Sequence, residues 1–166
     1  MFFDIVIISN PWYNYLMNYL NSLKLNGYNQ YGCGTIAIHN ALIWANDLLQ
    51  PSIDKNLDKI SKMIQERNHN SKAKNITDAL TKLKKKIESE HMSQFNIDEI
   101  ISHLKSGGTA IILTFKENEM VGHYEFYRYE KGILFESDKI ISFIKLKRKT
   151  NIKHKHTPEA WLISKD

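Results

Sequence analysis

The sequence predicts an α+β fold, and three observations carry that prediction. Apolar residues recur at helical spacing through most of the first half of the chain. After Gly107-Gly108 the pattern changes to short, β-rich apolar runs divided by polar turns. The tight-turn sequence Glu130-Lys131-Gly132 lies between two of these runs, so they should pair antiparallel. A helical half followed by an antiparallel sheet is α+β rather than alternating α/β.

Each element has its own signal. Residues 2–9 read as a strand or an extended arm. Over 11–25, Trp12, Leu16, Tyr19, Leu20 and Leu23 keep helical spacing until Asn26-Gly27-Tyr28-Asn29 stops the helix. Over 35–49, Ile36, Ala37, Asn40, Ala41, Trp44 and Leu48 mark one face of a buried helix, and Pro51-Ser52 breaks it. Ile53, Leu57, Ile60 and Ile64 define a second amphipathic helix. The polar stretch 66–74 reads as a loop. Thr77 is placed to cap a third helix with Leu80, Leu83 and Ile87 inward. A short helix over 96–104 turns Ile97, Ile100, Ile101 and Leu104 inward. Then come a continuous apolar strand at 109–115, an alternating aromatic strand at 121–129 and a third at 133–137. The run 140–144 is short and apolar, and 160–164 closes the series as a strand.

Bulk properties narrow the function. The 166 residues suit a single domain over 1–166, large enough to hide roughly 70% of the unfolded surface. An apolar fraction of 42% and a charged fraction of 25% are ordinary for a soluble protein. Cys33 is the single cysteine, which excludes an internal disulfide and a cysteine-based zinc cluster and suits a reducing, cytoplasmic setting. The apolar start at 1–8 contains Asp4 and has neither a basic leader nor a small-residue cleavage site, so it is no secretory signal, which leaves non-classical export open. No run approaches the roughly 18 apolar residues that span a bilayer. No metal-ligand spacing and no cofactor motif is present.

The net charge of +5 collects in two runs. One is Lys82, Lys84, Lys85 and Lys86. The other is Lys145, Lys147, Arg148, Lys149, Lys153 and Lys155. A solvated face is the simple reading, and an acidic partner or nucleic acid is the other. Helix-turn-helix, zinc-finger and ribonucleoprotein motifs are lacking. No motif specifies an oligomeric state.

One constellation bears chemistry. Cys33 falls where a turn-rich segment becomes a strong helix. A helix N-terminus presents N–H groups and partial positive charge, which favour the nucleophilic thiolate. A thiolate needs a proton partner, usually His. His39 shares the Cys33 helix and points elsewhere. His69, His91 and His103 sit in or beside polar segments, and His154 and His156 belong to the basic tail. His123 follows Gly122 and opens a strand beside a turn, where a side chain can face a cleft. Asp138 lies just past the next strand, so the hairpin brings its far end toward His123 as an orienting acceptor. Structural readings stand beside each assignment: Cys33 as a small buried hydrophobe, His123 bonded to backbone, Asp138 as a cap of the segment after it.

Gln30-Tyr31-Gly32-Cys33-Gly34, followed by a helix with Ala37 and Asn40, resembles the nucleophile segment of papain-like cysteine peptidases, and most of all the C39-like branch that cleaves double-glycine leader peptides. Gly122-His123-Tyr124, the aromatic strand, the turn, the next strand and Asp138 resemble that branch's histidine and aspartate segment. The run from Leu104 through Gly107-Gly108 to Leu113 resembles the helix, glycine turn and strand before it. Order and spacing agree from Gln30 to Asp138.

The resemblance implies a papain-like fold whose N-terminal helical half carries the nucleophile and whose sheet carries His and Asp. It implies that Cys33 attacks a carbonyl carbon of a peptide or protein substrate, that His123 shuttles the proton and that Asp138 holds the ring. The oxyanion would be held by the Cys33 backbone N–H and a side-chain amide. The family's glutamine position is Gly27 here. Gln30 therefore ranks first for the amide, before Asn29 and Asn26. Hydrolysis and acyl transfer use the same residues. The contrasting class is an inactive papain-like domain that binds nucleic acid or protein through the basic runs. Trp161 could shield the His–Asp pair, though core packing suits it better.

Overall fold

A computed structural model describes residues 19–20, 31–68, 70–83 and 87–165. The strand or arm at 2–9, nearly all of the 11–25 helix, the three candidate oxyanion amides, and Lys84, Lys85 and Lys86 lie outside them. Five helices and six strands are described. In chain order they are α1 (Cys33–Trp44), α2 (Ile53–Met63), α3 (Ala73–Lys82), β1 (Ile87–His91), α4 (Ile97–Lys105), β2 (Thr109–Thr114), β3 (His123–Glu130), β4 (Ile133–Glu136), β5 (Lys139–Ile141), α5 (Phe143–Thr150) and β6 (Glu159–Lys165).

The strands form one antiparallel sheet in the order β1-β6-β2-β3-β4-β5. Alternation along each strand sends neighbouring residues to opposite faces. Ile111, Leu113, Tyr124, Phe126, Trp161 and Ile163 pack with Ile38 and Leu42 of α1, Ile60 of α2 and Leu80 of α3. Ala110, Ile112, Tyr127, Ala160 and Leu162 pack on the other face with Ile100 and Leu104 of α4 and Leu146 of α5. Helices therefore cover both faces. That explains why β2, buried at every position, reads as an unbroken apolar run.

Most expected elements appear with shifted ends. α1 begins at Cys33, two residues earlier than its apolar face suggests, and closes at Trp44. Ser52 and Asn96 cap α2 and α4 through their side chains. Thr77 is not a cap. It lies inside α3, bonds the Ala73 carbonyl at 3.2 Å and accepts from Trp161 Nε1 at 2.9 Å. Ile87 opens β1 instead of extending α3, and the short apolar run near 140 divides into β5 and the start of α5. Trp161 is a core residue, 0% exposed, stacked on His91. None of the described helices is long and apolar enough to cross a membrane.

Candidate active site

α1 packs across β3, and this crossing brings Cys33 to His123. The helix is apolar enough to be buried from Gly34 to Ile43. Two of its polar positions meet partners inside: Asn40 exchanges two 2.8 Å bonds with the Leu20 backbone, and His39 Nδ1 meets Asn56 at 3.0 Å. Gly34 lets α1 approach the following loop, since a Cβ there would lie 2.9 Å from Ser71 Oγ. Cys33 stays partly exposed at the helix start.

The sulfur lies beside the first turn of β3. Tyr124 donates its backbone N–H to Cys33 Sγ at 3.4 Å. Cys33 acts on the neighbouring His123 ring and raises its pKa. The ring's Nε2–H donates to Glu125 Oε1 at 2.7 Å. Burial alone would lower the His123 pKa. The hydrogen bonds to Cys33 and Glu125, and the negative charge on both, overcome that and push it up to about 10. The sulfur–imidazole–carboxylate chain thus favours an imidazolium at neutral pH.

The sequence names Asp138 as the acceptor that orients the ring; the structure places Glu125 on Nε2. β4 ends at Glu136, paired with Tyr127 and well short of His123. The chain then turns at Ser137, in the left-handed region with φ 53°, and Asp138 sits in that turn before β5. Glu125 needs no hairpin, because residues i and i+2 of a strand share a face. The His-x-Glu spacing at the start of a predicted strand was the available signal.

Glu125 is buried, 4% exposed, and such a carboxylate must be paired. Its second oxygen accepts from Ser137 Oγ at 2.5 Å. Ser137 is fixed in turn: its N–H donates to the Phe126 carbonyl at 2.7 Å, and its own carbonyl accepts from Arg128 at 2.6 Å. The Arg128 guanidinium lies over the rings of Tyr19 and Phe135.

A second carboxylate, which no sequence pattern announced, organises the nucleophile's turn. Glu66 accepts from the Gly32 N–H and from Thr35 Oγ1, each at 2.8 Å, and from Ser61 at 3.2 Å. It answers orphan donors at the start of α1. The other described histidines are held differently. His91 pairs with Glu159, His103 bonds the Ile163 carbonyl, and His154 bonds the Glu119 carbonyl and stacks on Phe115. Among the described residues no group of His, Cys, Asp and Glu is arranged to hold a metal.

Two cavities flank the pair. One, of about 290 Å³, is lined by Cys33, Ser71, Lys72, Phe115, Gly122 and Tyr124 among others. The other, of about 420 Å³, lies on the His123–Glu125 side and also touches Phe115, Val121 and Gly122.

No family model matches this chain, and no curated protein matches it. Among solved structures, the chain is similar to the peptidase domain of Streptococcus ComA, a bi-functional ABC transporter involved in a quorum-sensing pathway. The likeness has a TM-score of 0.54 at 10% identity and covers 80% of this chain and 91% of that domain. At this identity the likeness is one of fold. The chain has the fold of that peptidase domain, as the papain-like α+β expectation required.

Proposed function

We propose that this chain is a thiol-dependent hydrolase that cleaves an amide or peptide bond, with Cys33 as nucleophile, His123 as acid and base, and Glu125 as the carboxylate that holds the ring. The observation that carries this reading is the Cys33 sulfur, bonded by the Tyr124 N–H at 3.4 Å, beside a His123 ring whose Nε2 is held by buried Glu125 at 2.7 Å. The fold shared with a peptidase domain supports it.

The chemistry follows from those positions. The sulfur, its proton held by His123, attacks the substrate carbonyl carbon and forms a C–S bond. Charge collects on the carbonyl oxygen, where the backbone N–H of Cys33 at the α1 N-terminus offers a donor. The imidazolium then gives its proton to the leaving nitrogen as the C–N bond breaks, leaving a thioester. With His123 now a base, it takes a proton from water, which attacks the thioester and releases the acid. Glu125 fixes the tautomer and stabilises the charged ring. A reducing compartment suits a mechanism that needs a free thiol.

Incubation with a mixed peptide pool, read by mass spectrometry, tests the reading. Cleavage with a transient, hydroxylamine-sensitive acyl adduct on Cys33 is expected. Cys33→Ala should remove both while its circular dichroism stays that of the parent. Turnover retained in that variant excludes Cys33 as the nucleophile.

A further inference from the structure

We propose that the cleft selects substrates carrying a carboxylate close to the scissile bond, and that the described loop residues 65–68 and 70–75 receive it. This names a substrate class for the site above and rests on that hydrolase reading.

The cavity at Cys33 does not end there. It shares Asn70, Ser71 and Lys72 with a further cavity of about 480 Å³, to which Arg67, Lys74 and Asn75 contribute. No carboxylate is among the described residues that line this second space, in a chain with 18 acidic residues. Arg67, Lys72 and Lys74 are exposed, and none is ion-paired among the described residues. α3 starts at this point with no side-chain cap and no acidic residue in its first turn. The Cys33 cavity itself has one described carboxylate, Glu159, which is engaged by His91. Cations and amides converge in this second space, where no described carboxylate answers them.

The loop is also fixed relative to the sulfur. Arg67 and Asn70 exchange backbone hydrogen bonds of 3.1 and 2.9 Å. Glu66 ties the loop's start to the α1 N-terminus, so its charge is directed at Gly32 and Thr35. At the other end, Tyr124 Oη donates to the Ser71 carbonyl at 3.0 Å, and Tyr124 is the residue after His123. A carboxylate arriving beside the reacting carbonyl would meet an arginine fork and two ammonium groups, with charge-assisted hydrogen bonds available. A neutral isostere would forgo that attraction, and a cationic one would be repelled.

The test has two arms. Cys33 is alkylated with iodoacetate and with iodoacetamide in the parent and in the double variant R67E/K72E. The ratio of the two rates reads the charge around the sulfur without any need for turnover, and His123 contributes equally in both proteins. Charge reversal should lower the iodoacetate-to-iodoacetamide ratio by about tenfold, and the neutral variant R67Q/K72Q should fall between. In the second arm, peptides with Asp or Glu near the cleaved bond should beat their Asn, Gln and Lys counterparts in kcat/KM, and the order should shift toward Lys in R67E/K72E. A preference for a C-terminal acid over its amide would place the carboxylate at the substrate's terminus, and an Asp preference would place it on a side chain. An unchanged alkylation ratio, or equal rates for acidic and neutral peptides, overturns the proposal. A parent that alkylates no faster than free cysteine but keeps the charge-dependent ratio contradicts the hydrolase and upholds the anion-receiving loop.

Discussion

His39, near the middle of α1, is fully buried and His123, at the start of β3, partly so, yet their protons behave in opposite ways. His39 is 0% exposed and meets the neutral amide of Asn56, so burial pulls its pKa down to about 4. His123 meets a sulfur and a carboxylate, and these lift its pKa to about 10 despite burial. The same side chain serves as a neutral packing group in one place and as a held cation in the other. The partner decides which, and burial only raises the stakes.

Removing the charged partner, or the ring itself, breaks this comparison most severely. His123→Ala should cost about 10²–10⁴-fold in kcat, while His39→Gln should keep activity per folded molecule. Both are measured by turnover on protein quantified by circular dichroism. Glu125→Gln should cost up to about 10⁴-fold in kcat. It should also move the alkaline limb of the activity profile to lower pH, because the ring loses one of the two charges that hold its proton. An Asp138→Asn variant should lack that shift. Ser137→Ala removes one hydrogen bond to Glu125 and should cost about tenfold, with a smaller shift of the same limb. A loss of activity with no movement of the limb would reduce Ser137 to a structural role.

The smallest effects are on stability, and there the two histidines should part by pH. His123 has a folded pKa near 10, above its unfolded value of about 6.5. Its contribution is whole below about pH 6.5 and is lost as pH rises toward 10. His39 runs the other way. Its neutral form contributes above about pH 6.5, and that contribution is lost as pH falls through about 4. Urea unfolding across pH should show the alkaline loss vanish in His123→Ala and the acid loss shrink in His39→Gln.

Much of this was legible in the residues. Cys33 opening a helix and His123 opening a strand are local signals, and their order along the chain joined them. Glu125 was hidden because the aromatic residues around it dominate β3 and make the strand look purely like sheet packing. Asp138 drew attention because hairpin geometry can be counted from a turn; β4 ends at Glu136, and Ser137 turns the chain with a φ of 53°. β1 offers a single buried apolar residue, Ile87, and exists because β6 returns from the far end of the chain to pair with it. α5 hides its two buried residues, Leu146 and Thr150, among lysines that mark a solvated face. Such long-range pairing leaves no mark in a local window.

The most direct test is an NMR titration of the His123 ring nitrogens, in the parent and in Cys33→Ala. A ring acted on by the sulfur and held by Glu125 keeps its proton to about pH 10, and Cys33→Ala lowers that value. A ring that titrates near 6.5 in the parent, or in the same way with and without the sulfur, contradicts the coupled pair on which the proposed chemistry depends.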